Sequence, residues 1–167
     1  MARTKLNPLD QSTSFTATIG TPVTASNTTT DVTFASLVAA AGDSAGACFE
    51  VKVYGQANGS LGSTLTFWVS VGSTKVISIA LPLASDFTTN VLQWNLEAMV
   101  TLAGTGSSAT VFVDGELLWN SNINLSHVSG SGSVNQANQW TIACGATWGS
   151  ASASNSVTAR QGVIARR

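Results

Sequence analysis

Hydrophobic and polar residues alternate with a period of two along most of the chain, as expected for β-strands with one buried face. The longest run spans residues 92–102, where apolar residues beginning with Leu92 and Trp94 alternate with residues beginning with Gln93. The pattern also predicts strands at residues 49–55, 65–71 and 77–81, and noisier ones at 15–19, 32–38, 109–119, 140–147 and 156–166. The period of a helix is nearly absent, and only residues 34–41 suit a helical turn.

Segments rich in Gly, Ser, Asn and Asp separate these runs and are typical of turns. We expect polar loops at residues 27–31 and 121–138, and a tight hairpin turn or a bulge at Asp114-Gly115. About eight or nine strands of this kind predict an all-β, antiparallel two-sheet sandwich, most simply a jelly roll of about eight strands. We expect this single domain to cover residues 12–167, with an extended N-terminal arm over residues 1–11.

Charged residues are scarce, at 9% of the chain against about 25% in a typical domain. Ser and Thr together number 43 of 167 residues, so hydroxyl groups take over much of the contact with water. A formal net charge of −1 disfavours partners that are attracted by an overall field, which are nucleic acid and acidic membranes. No apolar run approaches the roughly 18 residues of a membrane span. We therefore expect a soluble chain made in the cytoplasm.

The distribution of charge is more informative than its total. Residues 117–159 contain no Asp, Glu, Lys or Arg. Neutral surfaces tend to associate, so this segment is either hydrated by Ser, Asn and Gly or covered by another protein chain. Five of the seven basic residues lie near the ends of the chain, where they either solubilise the termini or dock onto an acidic partner: Arg3, Lys5, Arg160, Arg166 and Arg167.

The sequence offers little catalytic or metal-binding chemistry. His127 is the single histidine and lies in the loop predicted at residues 121–138. Glu50, Glu97 and Glu116 occupy polar-face positions of the predicted strands. These positions suit solubilising charges better than the carboxylate pair of a glycosidase. Cys48 and Cys144 are far apart and are expected to be free, buried thiols. We predict no catalytic, metal or cofactor site and no cofactor, and a serine hydrolase survives only because Ser is abundant.

The five tryptophans fall into two groups. Trp94, Trp140 and Trp148 are in phase with apolar neighbours, so we expect them in the core. Trp68 is out of phase with its neighbours and Trp119 ends a strand, so both are expected to be exposed. Tryptophan is enriched in the buried centres of protein interfaces. We therefore predict Trp68, Trp119 and His127 as subunit-interface residues.

Several motifs together resemble a family, the small jelly-roll structural proteins of tailed double-stranded DNA bacteriophages. They are an Asn-Thr-Thr-Thr-Asp strand entry at 27–31, Trp-Asn-Leu-Glu-Ala at 94–98, a Gly-rich turn, Val-Asp-Gly-Glu-Leu at 113–117 and Trp-Gly-Ser-Ala-Ser-Ala-Ser-Asn-Ser-Val at 148–157. Several members of this group are capsid decoration or cement proteins that trimerise over junctions between capsomers. Related jelly rolls occur in tail fibres. The group shares no catalytic residue that could be transferred to this chain.

The resemblance implies a virion structural protein on the capsid exterior, with itself and the major capsid protein as partners. The basic residues at the two ends of the chain would then dock onto the acidic capsid shell. The alternative is a tail-fibre or receptor-binding module that binds a host-surface glycan. Such a module would use Trp68, Trp119 or Tyr54 as sugar platforms, together with Asn and Ser of residues 121–138.

Overall fold

The computed structural model describes residues 16–82, 91–119 and 124–167. Within these ranges the chain forms β-strands and turns and contains no helix. In chain order the strands are β1 Thr16–Thr18, β2 Val23–Ser26, β3 Val32–Ala39, β4 Cys48–Asn58, β5 Thr64–Val71, β6 Thr74–Pro82, β7 Leu92–Leu102, β8 Ala109–Trp119, β9 Asn124–Val134, β10 Trp140–Trp148 and β11 Ser156–Arg166.

The strands form two antiparallel sheets. The larger sheet has seven strands in the order β1-β11-β4-β7-β8-β9, with β2 also paired to β11, and the smaller has the order β3-β10-β5-β6. The all-β, antiparallel two-sheet prediction is therefore confirmed, although the described strands number eleven rather than eight or nine. The N-terminal arm predicted at residues 1–11 lies outside the described residues.

Three strands have the bounds that the sequence predicts. β7, β8 and β11 begin and end at the predicted residues. In β4 and β7 every second side chain is buried, and the inward residues of both sheets form one core cluster. Burying these apolar side chains is the main force that holds the sheets together, at about 25 cal/mol per Å² of apolar surface.

The three tryptophans assigned to the core lie there. Trp94, Trp140 and Trp148 are each at most 5% exposed. The Trp94 ring lies 4.6 Å from Phe67 and 5.4 Å from Phe34, measured between centroids, so it joins the two sheets. Such aromatic pairs stabilise a core by about 0.5–1.5 kcal/mol beyond the area they bury.

The strand predicted at residues 32–38 is confirmed as β3, and the helical turn predicted at residues 34–41 is wrong, because residues 34–39 belong to that strand. The register between β10 and β3 shifts at Cys144/Gly145, so Phe34 is an extra residue with no partner in β10. Phe34 and Ala35 are therefore both buried. This bulge interrupts the period of two and leaves a spacing that resembles a helix.

The long loop predicted at residues 121–138 is also wrong, since β9 occupies residues 124–134 and pairs along its whole length with β8. Its sequence lacks apolar alternation because two of its inward positions are glycines. A Cβ on Gly130 would lie 2.4 Å from the Val76 carbonyl oxygen, and one on Gly132 would lie 3.0 Å from a Val76 methyl group. The β6 backbone thus fills the space that apolar side chains occupy elsewhere.

Asp114-Gly115 is neither a hairpin turn nor a bulge. Both residues lie in the middle of β8, and the register with β7 and β9 continues through them without a shift. A Cβ on Gly115 would lie 2.4 Å from Ile77 Cδ1. Glycine is required here by close packing between the sheets, and not by a change in chain direction.

Candidate functional site

The outer face of the seven-stranded sheet carries most of the charged side chains that the structure describes. The register places the outward residues of β4, β7, β8 and β9 in rows across the strands. One row places Lys52 beside Glu97, then Glu116, then His127. Glu50, Glu97 and Glu116 lie on the polar face, as the alternation predicts, and each is half-buried.

Glu97 organises a polar network at the centre of this face. Asn95 Nδ2 donates a hydrogen bond of 2.8 Å to Glu97 Oε1, and Tyr54 Oη donates a weaker one of 3.4 Å. Lys52 Nζ lies 3.9 Å from Glu97 Oε2 and 2.9 Å from Glu50 Oε1. The carboxylate of Glu97 therefore orients the Asn95 amide.

A cleft of about 560 Å³ lies beside this network. It crosses four neighbouring strands, β11, β4, β7 and β8, and its volume is in the range of about 300–1,000 Å³ typical of small-molecule sites. The lining residues are Tyr54, Gly55, Gln56, Gln93, Trp94, Asn95, Leu118, Trp119, Arg160 and Gln161.

The cleft combines an aromatic ring, several amides and one cation. The Tyr54 side chain is 40% exposed. The cation is Arg160, the residue at which the pairing of β11 with β4 shifts register. The amide side chains that line the cleft are Gln56, Gln93, Asn95 and Gln161. Each amide has hydrogen-bond donors and an acceptor, so the group suits a ligand rich in hydroxyls.

A smaller pocket of about 220 Å³ lies over the row formed by Lys52, Glu97, Glu116 and His127. His127 Nε2 lies 2.8 Å from Asp114 Oδ1, and both side chains are more than half exposed. None of the hydroxyl groups that the structure describes forms a hydrogen bond with His127, so the described residues assemble no Ser–His–Asp triad. Nor do any three His, Cys, Asp or Glu side chains among the described residues group so as to hold a metal ion.

Two of the basic residues predicted to dock onto a partner are paired within the chain. Arg166 Nη2 lies 2.9 Å from Oδ1 of Asp43, a buried carboxylate. Arg167 pairs with Glu50 and is itself exposed. Arg166 therefore compensates a buried charge, which gives it a structural role in the folded chain.

The remaining basic residues differ in whether their charge is paired with an acid. Arg3 and Lys5 lie outside the described residues. Lys52 and Lys75 each have an acidic partner. Arg160 is exposed and, among the Lys and Arg residues that the structure describes, it alone forms no ion pair with a described acid. The described acids therefore leave its charge available at the surface.

Trp68 lies on the outer face of the smaller sheet, as its phase predicts, but the expected exposure is wrong because the side chain is only 4% exposed. Gly145 on the neighbouring strand makes room for the ring, since a Cβ there would lie 2.4 Å from Trp68 Cζ2. Trp68 Nε1 donates a hydrogen bond of 3.2 Å to Thr147 Oγ1. Lys75 Nζ lies 5.2 Å from the ring centroid and 2.7 Å from Asp31 Oδ1.

The three predicted interface residues do not lie together. Trp68 is on β5 of the smaller sheet, whereas Trp119 ends β8 and His127 is on β9 of the larger sheet. Trp119 is half-buried and packs against the core. His127, predicted to lie in a loop, has a strand position with an exposed side chain. The larger sheet thus keeps two of the three candidates close to one edge.

The two cysteines are free thiols, as expected. Cys144 is buried, and burial raises the pKa of its thiol to about 12. Cys48 is only half-buried, since it lies at the end of β4 with its Sγ 3.6 Å from Thr101 Oγ1.

Sequence reasoning identified Tyr54 and Trp119 as possible sugar platforms, and the structure brings both into the same cleft. It missed the four amides, because they lie on three strands far apart in sequence. The signal available was that Gln93 and Asn95 occupy polar-face positions of the longest alternating run. Only the register of β4 with its two neighbours could add Gln56 and Gln161 to them.

No protein-family model, curated protein or solved structure matches this chain. None of the described residues belongs to a helix of the length and hydrophobicity that crossing a membrane requires. The function is therefore argued from the fold and from the side chains of the larger sheet.

Proposed function

We propose that this chain is a virion structural protein, a jelly-roll subunit that decorates the capsid of a tailed double-stranded DNA bacteriophage and stabilises the junctions between capsomers. It is made in the host cytoplasm, assembles as a homotrimer, binds the major capsid protein on the capsid exterior and has no enzymatic activity. The observation that carries this proposal is the order of the strands in the two sheets.

In an eight-stranded jelly roll built from two Greek keys, the sheets have the strand orders 1-8-3-6 and 2-7-4-5. Here the path β2-β11-β4-β7 and the sheet β3-β10-β5-β6 give these two orders once β1, β8 and β9 are set aside and the other strands are renumbered. The β8–β9 hairpin is then an insertion between the sixth and seventh strands of the jelly roll, and it widens one sheet.

The uncharged segment 117–159 supports a contact between subunits at one particular strand. β10 lies between β3 and β5, so its lack of charge follows from burial within its own chain. β9, in contrast, is an edge strand of the larger sheet, and Ser129 and Ser131 on it are exposed. A long, uncharged edge strand readily pairs with another chain. We therefore assign the contact between subunits to the β9 edge, beside His127 and Trp119.

The proposed contact with the capsid rests on Arg160, Arg3 and Lys5. Arg160 is exposed and has no acidic partner among the described residues, so its charge can pair with an acidic group on the capsid. Charge pairs of this kind guide the encounter of two proteins even where they add little affinity.

The oligomer tests the first part of the proposal. Size-exclusion chromatography with light scattering on the full chain is expected to give a trimer. The double variant Ser129→Lys/Ser131→Lys places two charges on the β9 edge and is expected to give a monomer. The matched control, Ser36→Lys/Ser78→Lys, adds two charges to exposed positions of the smaller sheet and is expected to leave the trimer intact.

Binding to capsids tests the second part. Shells of the major capsid protein that lack this chain are mixed with it and sedimented, and the resulting particles are imaged by cryo-electron microscopy. We expect co-sedimentation and density over the capsomer junctions. A chain that stays monomeric and does not sediment with the shells would overturn the proposal.

A further inference from the structure

We infer that the cleft across β11, β4, β7 and β8 binds a saccharide that carries a carboxylate, such as a chain containing uronic or sialic acid. This inference concerns ligand recognition by the free chain and does not rest on the virion role. Arg160 also serves the proposed capsid contact, so a saccharide and the capsid would compete for it. The inference is carried by one cation that pairs with no described acid, one exposed ring and four amides, which meet in a single cleft.

Arg160 supplies the preference for an acidic ligand. The register of β11 with β4 shifts between Ala159 and Gln161, so Arg160 is the extra residue of a bulge. Bulges commonly re-aim a side chain, and they are over-represented next to functional sites. The planar guanidinium matches a carboxylate with two parallel hydrogen bonds. Because none of the described acids pairs with Arg160, a ligand carboxylate would not have to displace any of them.

The amides supply the preference for hydroxyl groups. Gln161, Gln56, Gln93 and Asn95 project from three adjacent strands, which lie about 4.8 Å apart, so successive amides suit successive hydroxyls along an extended ligand. Asn95 is already oriented, since its Nδ2 donates to Glu97.

Tyr54 supplies a surface for the apolar face of a sugar ring. The side chain is 40% exposed, so its ring is accessible to a ligand. Ligand sites typically combine such an aromatic wall with a few oriented polar groups.

An acidic peptide is the main rival ligand, because it would also use Arg160. A peptide carboxylate, however, would pair with Arg160 but would form no specific contact with the four amides or the Tyr54 ring. A carboxylated saccharide uses Arg160, the four amides and the Tyr54 ring together.

Isothermal titration calorimetry on the full chain tests the inference with trigalacturonate, 3′-sialyllactose and a hyaluronan hexasaccharide as probes. At least one of these is expected to bind, and its methyl ester, in which the carboxylate charge is removed, is expected to bind about tenfold more weakly. Maltotriose is the neutral control. The absence of binding by every acidic probe at millimolar concentration would overturn the inference and would leave the assembly and capsid tests unaffected.

Paired variants locate the binding site. Arg160→Gln is expected to weaken binding of the acidic saccharide about tenfold, whereas Lys75→Gln removes a positive charge from the opposite sheet and is expected to have no effect. Tyr54→Ala is expected to weaken binding, and Phe112→Ala, which removes an exposed ring outside the cleft, is not. Equal binding of a hexa-aspartate peptide with the same dependence on Arg160 would contradict saccharide recognition and favour a protein partner.

Discussion

The outer faces of the two sheets carry different side chains, although both sheets are antiparallel. The face of the larger sheet holds Glu97 and its network together with a cleft of about 560 Å³. Among the described residues the face of the smaller sheet has one ion pair, Lys75 with Asp31, next to a tryptophan that is 4% exposed. The described charged side chains and the cleft are therefore concentrated on one side of the molecule.

The face of the sheet on which a side chain lies does not determine how exposed that side chain is, although a sequence pattern suggests both at once. Trp68 and Tyr54 both point outward from their sheets, yet Trp68 is 4% exposed and Tyr54 is 40% exposed. The difference is the neighbouring strand, where Gly145 leaves a hollow for Trp68. Alternation predicts the side, and the residue on the adjacent strand decides the exposure.

The largest expected difference between the sheets is in the reactivity of their thiols. Cys48 is half-buried at the end of β4, on the outer face of the sheet. Cys144 faces the core, and burial raises the pKa of its thiol to about 12 from an ordinary 9.0. Because the thiolate is the reactive form, Cys144 should react with iodoacetamide about a thousandfold more slowly than an ordinary thiol. Mass spectrometry of the native protein should find one adduct, on Cys48, and two adducts after unfolding. Equal labelling of both cysteines would contradict the assigned sides.

A smaller effect is expected from filling the hollow beneath Trp68. Gly145→Ala places a methyl group 2.2 Å from the Val32 carbonyl oxygen and 2.4 Å from the Trp68 ring, so the ring or the backbone must shift. Overpacking of this kind costs about 2–3 kcal/mol of unfolding free energy. Urea unfolding should show the loss, with a red shift of tryptophan fluorescence.

The matched control for this substitution is Gly149→Ala, where the nearest atom to the new methyl group is 3.5 Å away. Its unfolding free energy should change by no more than about 0.5 kcal/mol. If both variants unfold at the same urea concentration, the glycine does not explain the burial of Trp68.

The smallest effect is expected from the ion pair on the smaller sheet. Hydrogen bonds from the Lys75 ammonium and the Thr147 hydroxyl lower the pKa of Asp31 below its ordinary 3.8. The resulting stabilisation is present above pH 3.8 and is lost as the pH falls through the folded-state pKa. Because the pair is about half exposed, it should contribute about 0.5 kcal/mol or less.

Urea unfolding of Asp31→Asn across this pH range tests the pair. The variant should be slightly less stable than the wild type at neutral pH and equal to it at the acid end of the range. In a Lys75→Gln background the same substitution should have a smaller effect. A neutral-pH loss that is unchanged in that background would show that Lys75 does not stabilise the carboxylate.

The fold was predictable wherever one face of a strand is apolar and its register is regular. β7 and β8 meet both conditions, and their predicted bounds are correct. β9 fails the first, because Gly130 and Gly132 replace apolar side chains. β3 fails the second, because Phe34 is an extra residue in its pairing, and its pattern therefore predicted a helical turn at residues 34–41 beside the correct strand at 32–38. In both strands the missing information belongs to the partner strand and not to the segment itself.

The candidate site was only partly predictable. Tyr54 and Trp119 could be chosen as aromatic platforms from their positions in the pattern, but Trp68 was chosen by the same argument and lies on the other sheet. Arg160 was identified from the distribution of charge together with Arg166, although Arg166 is bound to Asp43. Distinguishing a free cation from a paired one requires knowing which acid lies beside it.

The amino-acid sequence was sufficient to predict the all-β class, the antiparallel sandwich, the core tryptophans and the side on which Glu50, Glu97 and Glu116 lie. These follow from a period of two, which is a local property of each strand. The strand order, the burial of Trp68 and the meeting of Arg160 with Tyr54 and Asn95 in one cleft depend on the three-dimensional fold. Those features depend on which strands become neighbours, because contacts across a sheet join residues that are distant in the chain.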